Sequence, residues 1–271
     1  MSTPNGLRET LLLPTMTLWR REIVRFYRQR SRIVGALATP VLFWILLGSG
    51  FADSFRAGGA PEGVGYAEYF YPGAMTLVVL FTAIFSTISV IEDRKEGFLQ
   101  AVLVAPVARS TVVLGKILGG STLALGQAVL LLLAAPLLGL DLSVADVVMT
   151  IGILAVIAFG LTTLGFLIAW RMDSTQGFHA IMNLVLIPMW LLSGAFFPAS
   201  GASGWLKLVM ALNPLTYGMA ALRRCLDPGG STAGADVPGF ALAVGVTVLF
   251  AIITFLIARA QAARPLDVRL A

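Results

Sequence analysis

Residues able to do chemistry are few in this chain of 271 residues, and they are gathered in one place. Five charged groups open the stretch Glu92-Asp-Arg-Lys-Glu-Gly-Phe-Leu-Gln-Ala-Val-Leu-Val-Ala-Pro106, which separates two long apolar runs. Around it the usual catalytic sets are missing. A single cysteine, Cys225, excludes an internal disulfide and a cysteine-rich metal site. A single histidine, His179, leaves little for metal or imidazole acid–base chemistry. Gly115-Lys116 is followed by Ile117 rather than Ser or Thr, and Ser110 stands where a phosphate-binding loop would begin with Gly. No Ser/His/Asp set is evident. These absences point away from an enzyme and from any metal or cofactor held by this chain. They leave a mechanical use for the charged stretch. Gly97 permits a sharp change of direction. Phe98, Leu99, Val102 and Leu103 then fall on one face of a two-turn helix, which Pro106 stops. Glu92, Asp93 and Glu96 suit the start of that helix, where the dipole favours negative charge. Such a helix either lies on a membrane surface or seats as a knob in a groove of a cytoplasmic partner. On the second reading Glu92, Arg94, Glu96, Gly97, Phe98, Leu99, Val102, Leu103 and Pro106 form the contact.

The elements that must position this stretch are membrane-length. Hydrophobic residues make up 58% of the chain and charged residues 12%, with mean hydropathy +0.88. A soluble domain carries about 25% charged residues. A span needs about 20 mainly apolar residues, and six runs qualify: Ile33–Phe51, Gly73–Ile91, Ile117–Leu140, Val147–Trp170, Ala180–Phe197 and Phe240–Ala258. The expected fold is an all-α polytopic membrane protein, residues 1–271 forming a single transmembrane domain. No run holds an Asp, Glu, Lys or Arg well inside it, which argues against an ion- or proton-coupled carrier. Basic residues are sided. With the N-terminus inside, fifteen of the nineteen fall in cytoplasmic segments, and only Arg56, Lys207, Arg223 and Arg224 fall outside. This bias places both termini in the cytoplasm of a multi-pass protein. The net charge of +5 therefore needs no nucleic acid to explain it.

Three segments lie outside the spans. Residues 1–32 carry Met16, Trp19, Ile23 and Phe26 at helical spacing, with arginines on the remaining surface. They read as an amphipathic interfacial helix with Pro14 in its first turn and Trp19 as anchor. Its arginines serve topology and anionic membrane lipid, or also brace a partner. Residues 92–116 form the charged cytoplasmic loop. Residues 198–238 hold two half-length apolar pieces around Asn213-Pro214, a breaker pair. They form either an outer re-entrant hairpin or a seventh span, and the charge rule favours the hairpin. Tyr66, Tyr69, Phe70 and Tyr71 read mainly as an outer aromatic belt. Asn183 and Gln127 are expected to hydrogen-bond between helices.

Two stretches resemble the membrane subunit of type-2 ABC exporters, the group that includes bacterial drug, lipo-oligosaccharide and polysaccharide export permeases. Residues 92–109 are similar to that family's charged cluster, glycine, coupling helix and proline. Leu192-Ser-Gly-Ala-Phe-Phe-Pro198 with Asn213-Pro-Leu-Thr-Tyr-Gly-Met-Ala-Ala-Leu-Arg223 is similar to its "SG-x-F-F-P … N-P-x-x-Y … R" outer hairpin, which singles out Pro198, Asn213, Pro214, Tyr217 and Arg223. The family's Gly-Thr-x-Glu reads Gly97-Phe98-Leu99-Gln100 here, so its Thr and Glu are replaced. The resemblance implies a half-transporter in the inner cell membrane. A second permease subunit, as a homodimer, and two ABC ATP-binding subunits carrying ATP and Mg would complete it. The cargo would be an amphipathic drug, a lipid-linked molecule or a glycan. A secondary transporter and a non-transporting scaffold remain as alternatives.

Overall fold

The computed structural model describes residues 4–51, 65–104, 107–227 and 238–263. Among them every regular element is helical, and six helices are long and apolar enough to cross a membrane. Helix α1 (Pro4–Arg28) precedes α2 (Arg30–Gly50), which leads away from what we term the basic end of the bundle. Helix α3 (Tyr66–Lys95) returns to it, and the short α4 (Phe98–Val104) lies there. Helices α5 (Arg109–Leu132) and α6 (Val144–Ala169) go out and back as a hairpin. Helix α7 (Thr175–Trp190) goes out again and continues as one π-turn, Leu191–Ala195. Helices α8 (Gly204–Leu212) and α9 (Pro214–Leu226) stay at the far, hairpin end, and α10 (Phe240–Ala263) returns.

Local signals explain the boundaries. Ser143 accepts a bond from the Asp146 amide while the Asp146 carboxylate accepts from Ser143, a capping box that starts α6. Ser174 caps α7. Asn213 caps α9 through the Leu215 amide at 3.0 Å, and Pro214 takes the first helical position, where it loses no bond. Gly97 has φ +77, a conformation open to glycine, and turns the chain from α3 into α4.

Helix α3 is the centre. It packs against α2, α5, α6, α7 and α9. From Tyr69 to Ile91 every residue is buried except Phe81 and Phe85. Tyr66, Tyr69, Phe70 and Tyr71 are therefore core residues, not an interfacial belt. The hydroxyls of the three tyrosines find carbonyl acceptors inside the fold, which makes burial of a tyrosine tolerable. Thr82 donates to Gln127 at 2.8 Å and joins α3 to α5, as expected for Gln127. Asn183 instead faces outward and has no partner among the described residues. Helix α5 begins at Arg109, eight residues before the apolar run that betrays it. Lys116, expected in the loop 92–116, is accordingly a buried residue within a spanning helix.

Candidate functional site

Helix α1 has three faces. Thr15, Leu18, Glu22 and Phe26 are buried against the bundle. Leu18 and Glu22 rest on α5 where it has no side chains. A Cβ at Gly115 would lie 2.8 Å from Leu18 Cβ, and one at Gly119 would lie 2.6 Å from Glu22 Cβ. Leu12, Met16 and Tyr27 stay exposed on one flank with Trp19 and Ile23 half-buried, and Trp19 donates to Thr122 at 3.1 Å. The other flank carries Arg21, Arg25 and Arg28. The expected apolar stripe thus splits. Met16, Trp19 and Ile23 belong to the outward flank, and Phe26 belongs to the core.

The arginines are engaged within the chain. Arg21 grips Asp93 with both terminal nitrogens, at 2.8 and 2.7 Å. Arg25 reaches Asp93 at 2.5 Å and Glu92 at 2.8 Å, and Arg32 also bonds Glu92. Lys116 Nζ lies 2.5 Å from Asp93 and 2.8 Å from Glu22. Lys116, Glu22 and Asp93 side chains are 2%, 5% and 0% exposed, so the heart of the cluster is dry. Glu92 and Asp93 do not open α4 as expected. They end α3, where the helix dipole opposes a carboxylate. Four cations overcome that repulsion, and the Asp93 carboxylate drives the protonation equilibrium of Arg21 still higher. Burying charges is unfavourable unless each is paired, and here each is. Sequence reading missed Glu22 and Lys116. The signals were present: Glu22 is the one carboxylate among residues 20–32, and Gly115 and Gly119 mark a close approach.

Helix α4 hangs from this cluster. The Arg21 guanidinium lies 3.7 Å from the centre of the Phe98 ring, a cation–π contact. Leu99 is 1% exposed, and Phe98, Val102 and Leu103 pack partly on the core. The apolar face expected to meet a partner is thus turned into the protein, since a lone two-turn helix is held in place only by packing. Gln100, Ala101 and Val104 point outward, Val104 at 86% exposure. Arg94 donates to the Trp170 and Met172 carbonyls and pairs with Asp173 at 3.0 Å, capping the end of α6. Arg109 donates to the Ala263 carbonyl at 3.1 Å at the end of α10. Arg21 thus ties α4 itself to α1, while Arg94 ties the end of α3 to α6 and Arg109 ties the start of α5 to α10, one on either side of α4. Glu96 is exposed and lies 3.5 Å from Arg25. Pro106 lies outside the described residues.

At the hairpin end, the π-turn and Gly194 (φ 81) break the end of α7. Side chains gather the freed carbonyls. Asn213 Nδ2 donates to Met189 at 2.6 Å and Thr216 to Leu192 at 3.3 Å. Tyr69 Oη and Arg223 Nη2 both donate to Gly194, at 3.0 and 2.8 Å, and Tyr66 Oη donates to Phe196 at 3.1 Å. Arg223, counted among the four basic residues of the outer segments, is 4% exposed. Tyr217 bonds the Ala211 carbonyl at 2.9 Å across the Asn213-Pro214 breaker, and Pro198 begins a short 3-10 turn.

Residues 14–226 match the ABC-2 type transporter family. Among known proteins, one named transport permease ycf38 of Cyanophora paradoxa is 26% identical over 209 residues, covering 76% of this chain and 71% of its own. Nodulation protein J of Rhizobium leguminosarum bv. viciae is 24% identical over 254 residues, covering 93% and 94%. Nodulation protein J of Sinorhizobium fredii is 24% identical over 245 residues, covering 89% of each.

Proposed function

The chain belongs to the ABC-2 type transporter family, and from that premise we propose that it is the permease subunit of an ATP-driven exporter. Two copies of this chain pair, two ABC ATP-binding subunits bind beneath them, and ATP with Mg is held and hydrolysed on those subunits. The basic end faces the cytoplasm of a cell membrane, both termini with it. The observation that carries the reading is the tethering of α4 and its two flanks: Arg21 of α1 sits on Phe98 of α4, Arg94 joins the end of α3 to α6, and Arg109 joins the start of α5 to α10. A partner drives a conformational change only through different affinities for two states. A push on α4 reaches α1 directly and α6 and α10 through the flanking ends of α3 and α5, so a small difference in grip is spread over the bundle. The contact surface is the outward face, Gln100, Ala101 and Val104, with Glu96 beside it.

The translocation wall is the groove between α2 and α7. Its floor is Phe81 and Phe85, stacked at 6.3 Å and the only side chains of central α3 left open between Tyr69 and Ile91. Phe85 meets the His179 ring at 5.9 Å, and Trp190 bonds Gly73 further along. Those two contacts fix the antiparallel register of α3 and α7 and put Asn183 level with Phe81. An aromatic floor with one amide and no charge suits an amphipathic drug, a lipid-linked molecule or a glycan. An unpaired amide on an apolar helix also favours a second copy across from it. The two short helices α8 and α9 form a re-entrant hairpin over the outer end of this path.

The test is co-purification with the ATP-binding subunit. Val104→Asp should abolish association while the permease stays monodisperse. Leu99→Asp should instead damage the permease itself, because an unpaired carboxylate in an apolar site costs several kcal/mol. Full association with Val104→Asp would reject the outward face. The buried Lys116–Asp93–Glu22 set favours a second reading, an ion-coupled carrier. The two separate cleanly: export by the first stops without ATP and persists when the ion gradient is collapsed.

A further inference from the structure

We propose that Arg223, acting with Tyr66 and Tyr69, is the latch of an outer gate formed by the broken end of α7. The inference rests on the permease reading for its purpose but not for its test. Arg223 belongs to α9, a helix wrapped by α3, α6, α10 and the π-turn. Its guanidinium is buried, yet no carboxylate pairs with it among the described residues. It donates to the Tyr69 carbonyl at 2.9 Å and to the Gly194 carbonyl at 2.8 Å, and it lies 3.9 Å from the centre of the Tyr69 ring. Among the described residues it is held by carbonyl dipoles and a ring face, a demanding arrangement for a buried cation. It supplies a charged donor to the backbone that the break in α7 frees. Gly194 turns with φ 81, and its carbonyl is claimed twice, by Arg223 and by the Tyr69 hydroxyl. The Tyr66 hydroxyl holds the next free carbonyl, that of Phe196. Gly73 of α3 admits the turn closely, since a Cβ there would fall 2.9 Å from the Ala195 carbonyl.

The latch therefore spans three elements: the start of α3, the end of α7 and α9 of the hairpin. In the described state it is closed, and Tyr66, Phe70, Trp190 and Phe196 fill the space behind it edge to face. A cargo leaving along α7 must pass this end. Release of one carbonyl, that of Gly194, frees the π-turn from both partners at once. Arg223 is a positioning residue. It touches the gate and not the cargo.

The experiment uses the full chain in native membranes with Cys225→Ser as background and one reporter thiol, Ser193→Cys, buried in the break. A membrane-impermeant maleimide is applied to vesicles of either orientation. Reaction should be slow with Arg223 and at least tenfold faster with Arg223→Met, with Arg223→Lys between them. Tyr69→Phe removes a single hydroxyl and should also speed labelling if Arg223→Met fails to fold. A second reporter, Leu186→Cys, buried deeper in α7, should stay unreactive throughout. Equal labelling of Ser193→Cys in parent, Arg223→Met and Tyr69→Phe would overturn the latch. So would acceleration at both reporters, which means general loosening. No ATP-binding subunit is needed, so a failure of the permease reading would appear in co-purification and leave this result standing.

Discussion

At the scale of residues, the dry centre of the basic end is Lys116 between Glu22 and Asp93. Asp93 keeps Arg21 and Arg25 when Lys116 is removed, but Glu22 keeps only Arg21, at 3.2 Å. Removing one member of a buried ion pair costs about 3–5 kcal/mol, mainly by stranding the remaining charge. Lys116→Met should lower unfolding stability in detergent by that order. Adding Glu22→Gln should recover part of the loss, because the stranded carboxylate is gone. Additive losses in a double-mutant cycle would show that the two side chains are not coupled. Glu22 was hidden in the sequence for a physical reason. A lone acid among arginines looks like a solvated face, and only the glycines of α5 reveal that this face is inward.

At the scale of elements, apolar length made the six spans legible and breaker residues made α8 and α9 legible, because both signals are local. What stayed illegible was which face of an amphipathic helix turns inward. Helix α4 shows why. Phe98, Leu99, Val102 and Leu103 mark an apolar face, and a face of that kind fits a partner's groove or the protein's own core equally well. Position decides, and Arg21 above Phe98 is contributed by a distant segment. Helix α1 carries the sharpest element-scale prediction. Gly119→Val would place atoms where Glu22 Cβ already sits, so α1 should lift from α5. Trypsin cleavage after Arg21 and Arg25, whose guanidiniums are engaged in the parent, should become several-fold faster. An unchanged cleavage pattern would mean that the ion pairs alone hold α1.

At the scale of the whole molecule, six crossings return the chain to the basic end. Reporter fusions at Gly59 and Gly230 should sit on one side of the membrane and fusions at Gln100 and Ala271 on the other. A signal from Ala271 on the side of Gly59 would require an odd number of crossings and revive a seventh span. The apolar outward faces of α2 and α7, with Asn183 between exposed Ile181, Leu184 and Val185, should be covered by the second copy. Cysteine at Asn183 should therefore cross-link between two copies in the membrane. A cysteine at Leu249 of α10, also exposed among apolar side chains, should not. These outward faces were readable as apolar but not as paired, since lipid and a neighbouring helix ask for the same side chains.

The ion pairs of the basic end also impose an order on how the protein is made. Arg21 and Asp93 are 72 residues apart, and Glu22 and Lys116 are 94 apart. The arginines of α1 leave the ribosome long before any of these partners exists. During that interval phosphate headgroups are the available counter-ions, and α1 waits on the membrane surface. When Asp93 and Lys116 arrive, lipid is exchanged for protein and the helix docks. Nascent chains in which Glu92 has not yet emerged should therefore need anionic lipid to hold α1, whereas chains in which Ala124 has emerged should hold it without.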